Sequence, residues 1–185
     1  LGFEVYTDGN KTNHLALWDY LISCGEPFGM EVSSTRALTI RRIEGGILGN
    51  LTDMTPDMTP FEAGLAPFIN MEKGDFIGRE ALVGKDTRSC LFGFTCASET
   101  PAAGSPLMDG DNVVGHITAG ISSPTLGLGV GYARFNSPGD WVGNSLSMRL
   151  HDGSVHVGEI VQVPFFDRER KIVRGLDRTI PQRPL

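Results

Sequence analysis

The hydrophobic pattern changes character once, near Lys85, and that change constrains the fold more than any other feature of the chain. Beyond it, "CLFGFTC", "NVVGHITA", "GVGYARF", "SLSMRL" and "SVHVGEIVQVPFF" each read as a short strand. They are rich in β-branched and aromatic residues and are divided by Gly, Pro, Asn and Asp. "DGDN" and "HDGS" between them are hairpin-turn signals. Repeated short strands with this punctuation predict a small antiparallel β-barrel or sandwich.

Before Lys85 the pattern is mixed. "GFEVYT" reads as a strand. In "NKTNHLALWDYLISCG", Leu15, Trp18, Leu21 and Ile22 recur at helical spacing, Thr12 or Asn13 can cap the start, and Gly25 supplies a stop. "SSTRALTIRRIEGG" predicts a second helix, capped by Ser33 or Ser34 and ended by Gly45 and Gly46. The run from Ile47 to Phe61 holds two Thr-Pro steps that disfavour helix and reads as loop. "DFIGREALVG" predicts a short helix with Asp75 as its cap. The expected fold class is therefore α+β. An α+β part over residues 1–84 would precede a C-terminal β-barrel domain over 85–185, and the tail "GLDRTIPQRPL" has little to bury and should fray.

A chain of 185 residues can bury a real core without disulfides or metals. A net charge of -6 and the lack of a basic run argue against nucleic acid or anionic lipid as partner. Cys24, Cys90 and Cys96 are odd in number and lack CxxC spacing, as expected of reduced thiols in the cytoplasm. No apolar run approaches the roughly 20 residues that span a membrane. The chain opens at Leu1 within strand-like sequence, without initiator methionine or signal peptide, so it is expected to be part of something longer.

The constellations that usually carry chemistry are weak. "GLGVG" at Gly127 to Gly131 has a nucleotide-loop look, but Pro124 precedes it and strand-like sequence follows, against the strand-then-helix context such a loop needs. His14, His116, His151 and His156 have no metal-site spacing, and no Ser/His/Asp set is legible. Glu44 reads as a solvated or locally paired helix end, and Glu62 as an ordinary surface acid. Glu4 and Tyr6 are two apart in a predicted strand and so share a face. A carboxylate beside a phenol suits a flat heterocycle with adjacent N–H donors.

Four segments, "LGFEVY", "RRIEGGILGNLTDMTPDMTPFEAGL", "FIGREAL" and "ITAGISSPTLGLGVGYA", resemble the aminomethyltransferase family in order and spacing. That family includes the glycine cleavage T protein, the folate-binding half of dimethylglycine and sarcosine dehydrogenases, and folate-dependent demethylases. The resemblance runs from Leu1 to about Phe166. It implies a C-terminal fragment of a tetrahydrofolate-dependent one-carbon transferase, with "TPFEAGL" through "FIGREAL" as scaffold between the folate-binding region and the barrel.

The family strand that resembles "GFEVY" supplies a pterin-binding glutamate, which falls on Glu4, with Tyr6 beside it. A late folate-reaching residue falls on Arg168 or Arg170. T proteins carry a folate-contacting arginine where this sequence has Leu38, with Arg36 two residues away, so the sequence looks more like the dehydrogenase-linked and demethylase branches. The family's catalytic aspartate lies ahead of "GFEVY", so no catalytic residue is assigned and the chain alone is expected to be inactive. The implied partners are a small-molecule one-carbon donor and either the missing N-terminal half or a fused or associated oxidoreductase. A non-enzymatic folate-binding relative is the remaining alternative, but its "KGCY"-type cysteine motif is absent.

Overall fold

The computed structural model describes residues 3–179, which fall into two compact units divided between Leu38 and Thr39. The first holds α1 (His14–Gly25), short 3-10 turns at Gly9–Lys11 and Glu26–Phe28, and the start of α2 (Thr35–Glu44). Asn13 caps α1, its side-chain oxygen accepting from the Ala16 N–H at 3.1 Å. Ser34 accepts from the Ala37 N–H at 3.4 Å in the same way at the start of α2. The predicted strand at "GFEVYT" is a correction. Residues 3–7 are not in a ladder, because no other described strand pairs with them, and an unpaired strand leaves its backbone groups to water.

The second unit is built on six antiparallel strands: β1 (Leu91–Cys96), β2 (Pro106–Asp109), β3 (Asn112–Ser123), β4 (Leu128–Phe135), β5 (Ser145–Arg149) and β6 (Val155–Val161). They close in the order β1-β4-β3-β2-β5-β6, with β6 pairing back onto β1. "DGDN" is the turn between β2 and β3, where Asp109 pairs with Asn112. "HDGS" turns β5 into β6, and Gly153 takes the positive φ of 86° that the tight turn requires. The barrel is filled by Phe94, Leu107, Ile117, Ala133, Met148 and Ile160, all fully buried.

β4 is buried on both faces. Ala133 and Phe135 point inward, whereas Val130 and Tyr132 point outward into a second core with Ile43, Leu91 and Phe165. That outer core seats the end of α2 and the loop after it against the barrel. The glycines of "GISSPTLGLGVGYA" have a steric purpose. A Cβ on Gly120, Gly129 or Gly131 would stand 2.0, 2.2 or 2.4 Å from the carbonyl oxygen of Pro101, Glu99 or Ala119 respectively. The buried segment around Pro101 therefore lies on strands with no side chains there, and the loop-like glycine run is strand β4 and its entry turn.

α3 (Arg79–Leu82) is a single turn capped by Gly78, not by Asp75 as the sequence suggests. Among the described residues no helix is long and apolar enough to cross a membrane.

Candidate functional site

In the first unit, Glu4 and Tyr6 are brought together as their spacing predicts, although no strand holds them. The Tyr6 hydroxyl donates to Glu4 Oε2, and both side chains are exposed. The carboxylate beside it, with a small contribution from burial, raises the phenol above the usual tyrosine range, so Tyr6 keeps its proton at neutral pH. Among the described residues Glu4 Oε1 has no hydrogen-bond partner, which leaves it to a ligand's N–H groups. A carboxylate with one free oxygen, flanked by a phenol ring, suits in kind the edge of a pterin, which presents adjacent N–H donors. Leu38 is 72% exposed.

In the second unit, Arg168 and Arg170 lie in a turn after the barrel. Asp167 and Arg170 both adopt left-handed backbone, with φ of 51° and 54°. The Asp167 carboxylate accepts from the Lys171 N–H at 2.7 Å and the Ile172 N–H at 3.0 Å, which holds the turn in that conformation. Glu169, between the two arginines, pairs with Lys171 at 2.8 Å. Among the described residues neither arginine side chain has a hydrogen-bond or ion-pair partner, so both guanidinium groups can meet an anion.

The sequence reading missed a buried polar network that fixes the second unit. Glu44 is 1% exposed, not solvated; it is locally paired as expected, with Arg41 Nη1 at 2.9 Å, but it also accepts from the Ser123 hydroxyl at 2.6 Å. Asp53 is fully buried. Its Oδ2 accepts from Gly49 N–H at 2.6 Å and Arg42 Nη1 at 3.0 Å, and its Oδ1 from the Thr118 hydroxyl at 2.6 Å. The Tyr132 hydroxyl bonds the carbonyls of Ile43 at 3.3 Å and Ile47 at 3.1 Å. Thr118, Ser123 and Tyr132 lie 65 to 89 residues away on the barrel, and Gly49 is in a loop without periodicity, so no local pattern reveals these contacts. The clue available in sequence was two acids and two arginines in one apolar-flanked run, "RRIEGGILGNLTD".

The loop that follows forms a groove of about 240 Å³ lined by Asn50, Met54, Thr55, Met58, Thr59 and Leu65, among others. Arg134 on β4 pins the loop, donating to Thr55 Oγ1 at 2.8 Å and to Asp57 at 2.7 Å. Glu62 is more than a surface acid. It accepts from the Thr59 N–H at 2.7 Å while its own N–H donates to Thr59 Oγ1 at 3.2 Å, a reciprocal capping box that shapes "TPFEAGL".

The histidines build no metal centre, and among the described residues no group of three His, Cys, Asp or Glu could hold a metal ion. His156 does join a chain of contacts that the sequence reading did not see. Ser98 Oγ lies 3.1 Å from its Nδ1 and Ser154 Oγ 3.2 Å from its Nε2, and Ser154 donates to Asp152 at 2.6 Å. Asp152 also accepts from the Ser154 backbone N–H, so the arrangement braces the β5–β6 turn as an Asx turn.

Two family models cover most of the chain. Residues 1–73 match the GCVT N-terminal domain, and residues 90–167 match the glycine cleavage T-protein C-terminal barrel domain. The aminomethyltransferase of Streptomyces avermitilis is 32% identical over 181 residues, covering 91% of this chain and 47% of the relative. That of Alkaliphilus oremlandii is 30% identical over 174 residues, covering 92% and 46%. The crystal structure of the glycine cleavage system aminomethyltransferase T from Bartonella henselae superposes with a TM-score of 0.69 at 26% identity, over 83% of this chain and 44% of that one. The chain thus spans about half the length of the curated relatives it matches.

Proposed function

The chain belongs to the glycine cleavage T-protein family, and on that premise we propose that it is the C-terminal part of a tetrahydrofolate-dependent transferase of one-carbon units. The observation that carries the reading is the exposed Glu4 carboxylate, one oxygen engaged by Tyr6 and the other open, in the segment matched by the N-terminal family model.

Tetrahydrofolate, when bound, supplies the acceptor for the one-carbon unit. Glu4 would hold the paired N–H donors of the pterin edge and set the orientation of the ring, with the Tyr6 phenol beside it. Arg168 and Arg170, in the second unit, are candidate cofactor contacts in their own right, since a guanidinium matches a carboxylate in charge and shape. The chain's contribution is binding and orientation, which convert encounter into a positioned reaction. No general base or nucleophile is assigned to these residues. The isolated chain should therefore bind without turning over donor.

The donor would be an amine, sulfonium or ether. A second reading, a folate-binding module linked to an amine-oxidising flavoprotein, is favoured by one observation: Leu38, an exposed apolar residue, stands where T proteins have a folate-contacting arginine. The three free cysteines are in keeping with a reducing cytoplasm.

The test is Glu4→Gln in the complete folate-binding protein. The amide keeps the size of the side chain but places a donor against donors. Tetrahydrofolate affinity, measured by titration calorimetry, should fall by about 1–3 kcal/mol, the usual cost of a lost charge-assisted hydrogen bond. Equal affinity in a variant with unchanged circular dichroism would remove Glu4 from the site.

A further inference from the structure

A chain of four polar side chains runs across the end of the barrel where β1 leaves it and β6 enters. Ser98 stands two residues past β1 and is exposed. His156 is the second residue of β6 and is half-buried. Ser98 Oγ lies 3.1 Å from His156 Nδ1, His156 Nε2 lies 3.2 Å from Ser154 Oγ, and the Ser154 hydroxyl donates to Asp152 Oδ1 at 2.6 Å. The Asx turn between β5 and β6 needs only Asp152 and Ser154, so bracing that turn leaves His156 and Ser98 unexplained.

Counting protons fixes the direction of the chain. The Ser154 hydroxyl, then its backbone N–H, hold the Asp152 carboxyl below the usual carboxylate range, so it is ionised at neutral pH and only accepts. The single hydroxyl proton of Ser154 goes to Asp152. Ser154 Oγ can therefore only accept from His156, which puts the proton of the neutral imidazole on Nε2. Nδ1 is then a bare acceptor, and the proton between it and Ser98 is that of the Ser98 hydroxyl. Carboxylate, hydroxyl, imidazole and hydroxyl all pull the same way. The segment that carries Ser98 is also held on both sides. Cys96, 1% exposed, has its Sγ 3.5 Å from Ser98 Oγ, and Pro101 is fully buried.

We propose that Ser98 is a nucleophile with His156 as its general base, and that this end of the barrel transfers the acyl group of activated carboxylic esters to water. Ser98 Oγ attacks the carbonyl carbon as His156 Nδ1 takes its proton. The Oγ–acyl bond forms, and the ester C–O bond breaks with its electron pair going to the departing oxygen, which recovers the proton from Nδ1. Water then attacks the acyl-serine and gives a proton to Nδ1, and the acid departs as that proton returns to Ser98 Oγ. Ser154 and Asp152 are positioning residues, which hold the ring and steady the imidazolium formed in each half. The site is open to water, which weakens the stabilisation of an oxyanion, so its substrate class is esters of good leaving groups, aryl esters above all. All four residues belong to the second unit, and the inference stands apart from the folate reading.

The probes are para-nitrophenyl acetate, read as nitrophenolate release by the 185-residue chain, and a fluorophosphonate, which traps a nucleophilic serine and is located by peptide mass mapping. The unaltered chain should release nitrophenolate at least about tenfold faster than Ser98→Ala or His156→Gln, less than an enclosed base delivers because this one is partly in water. The fluorophosphonate should label Ser98. Ser154→Ala keeps the backbone N–H that holds the Asx turn, so it should lower the rate, and Ser154→Thr, which keeps the hydroxyl, should restore it. Equal release from the unaltered chain and Ser98→Ala overturns the proposal, as does label confined to Cys24, Cys96 or a lysine. Should His156→Gln fail to fold, the trap decides in the unaltered chain: label on Ser98 that Ser154→Ala slows supports the relay, and no label there refutes it. Tetrahydrofolate titration of the same chain tests the cofactor reading separately.

Discussion

The hydroxyl of Ser123, at the end of β3, donates to the carboxylate of Glu44, at the end of α2, over 2.6 Å and across 79 residues of sequence. Both groups are shielded from water. Ser123→Ala leaves one buried oxygen of Glu44 without its donor and should cost about 1–3 kcal/mol of unfolding free energy. Urea titration followed by circular dichroism reads this directly. An unchanged midpoint would mean that the contact adds nothing to the hold between α2 and the barrel.

Asp53 carries more. Its carboxylate answers Arg42, the Gly49 backbone and Thr118 at once. Asp53→Ala would strand a partly buried guanidinium and two further donors, so a loss of about 3–5 kcal/mol is expected, as for other broken buried pairs. Thr118→Val removes one arm and should cost less. If the two variants unfold at the same urea concentration, the shared-carboxylate account is wrong.

Tyr132 gives the network an alkaline signature. Burial, then the nearby Asp53 carboxylate, hold its hydroxyl well above the usual tyrosine range. The unfolded chain therefore releases this proton first, from pH about 10 upward. The stability tied to the protonated phenol is complete below pH 10 and drains away as pH rises toward the folded value. Tyr132→Phe should cost about 1 kcal/mol at pH 8 and should show a shallower decline between pH 9.5 and about 11. Cys90, whose thiol is also raised by burial, declines in both proteins and cancels in the difference. Parallel stability curves would place the titration elsewhere.

The glycines around Pro101 should be intolerant of a single methyl group. At Gly120 that methyl would meet a backbone oxygen at 2.0 Å, which cannot swing away as a side chain can. Gly120→Ala is expected to lose about 3 kcal/mol or more. Gly104→Ala, which meets nothing within 4 Å but keeps a φ of 83°, isolates the backbone cost and should lose about 1 kcal/mol. Equal losses in melting experiments would mean that crowding is not what the glycine run serves.

The barrel was legible because hairpins are local. "DGDN" and "HDGS" contain their own turn chemistry, and α1 carries its cap at Asn13, but it runs through Gly25, which sequence suggested as its stop, and the left-handed glycine that ends the following turn is Gly29. β2 was missed because it is four residues long and begins at Pro106, a residue that weakens any strand signal. "GFEVYT" misled in the opposite sense, since its composition favours a strand but a ladder needs a partner. The Glu4–Tyr6 contact could be anticipated because its members are two positions apart. The contacts of Glu44 with Ser123 and of Asp53 with Thr118 could not, because what decides burial there is the return of β3 and β4 some 65 to 89 residues later.

The barrel closes by pairing its first strand with its last, Phe94 lying opposite Ile160. On a ribosome this sets a timetable. Val161 is polymerised 70 residues after Leu91, a delay of about 4–14 s at ordinary rates of elongation. Throughout that interval one margin of β1, carrying Phe92 and Phe94, has nothing to pair with. The nascent chain should be most in need of a chaperone in that window, and should stop needing one soon after β6 emerges.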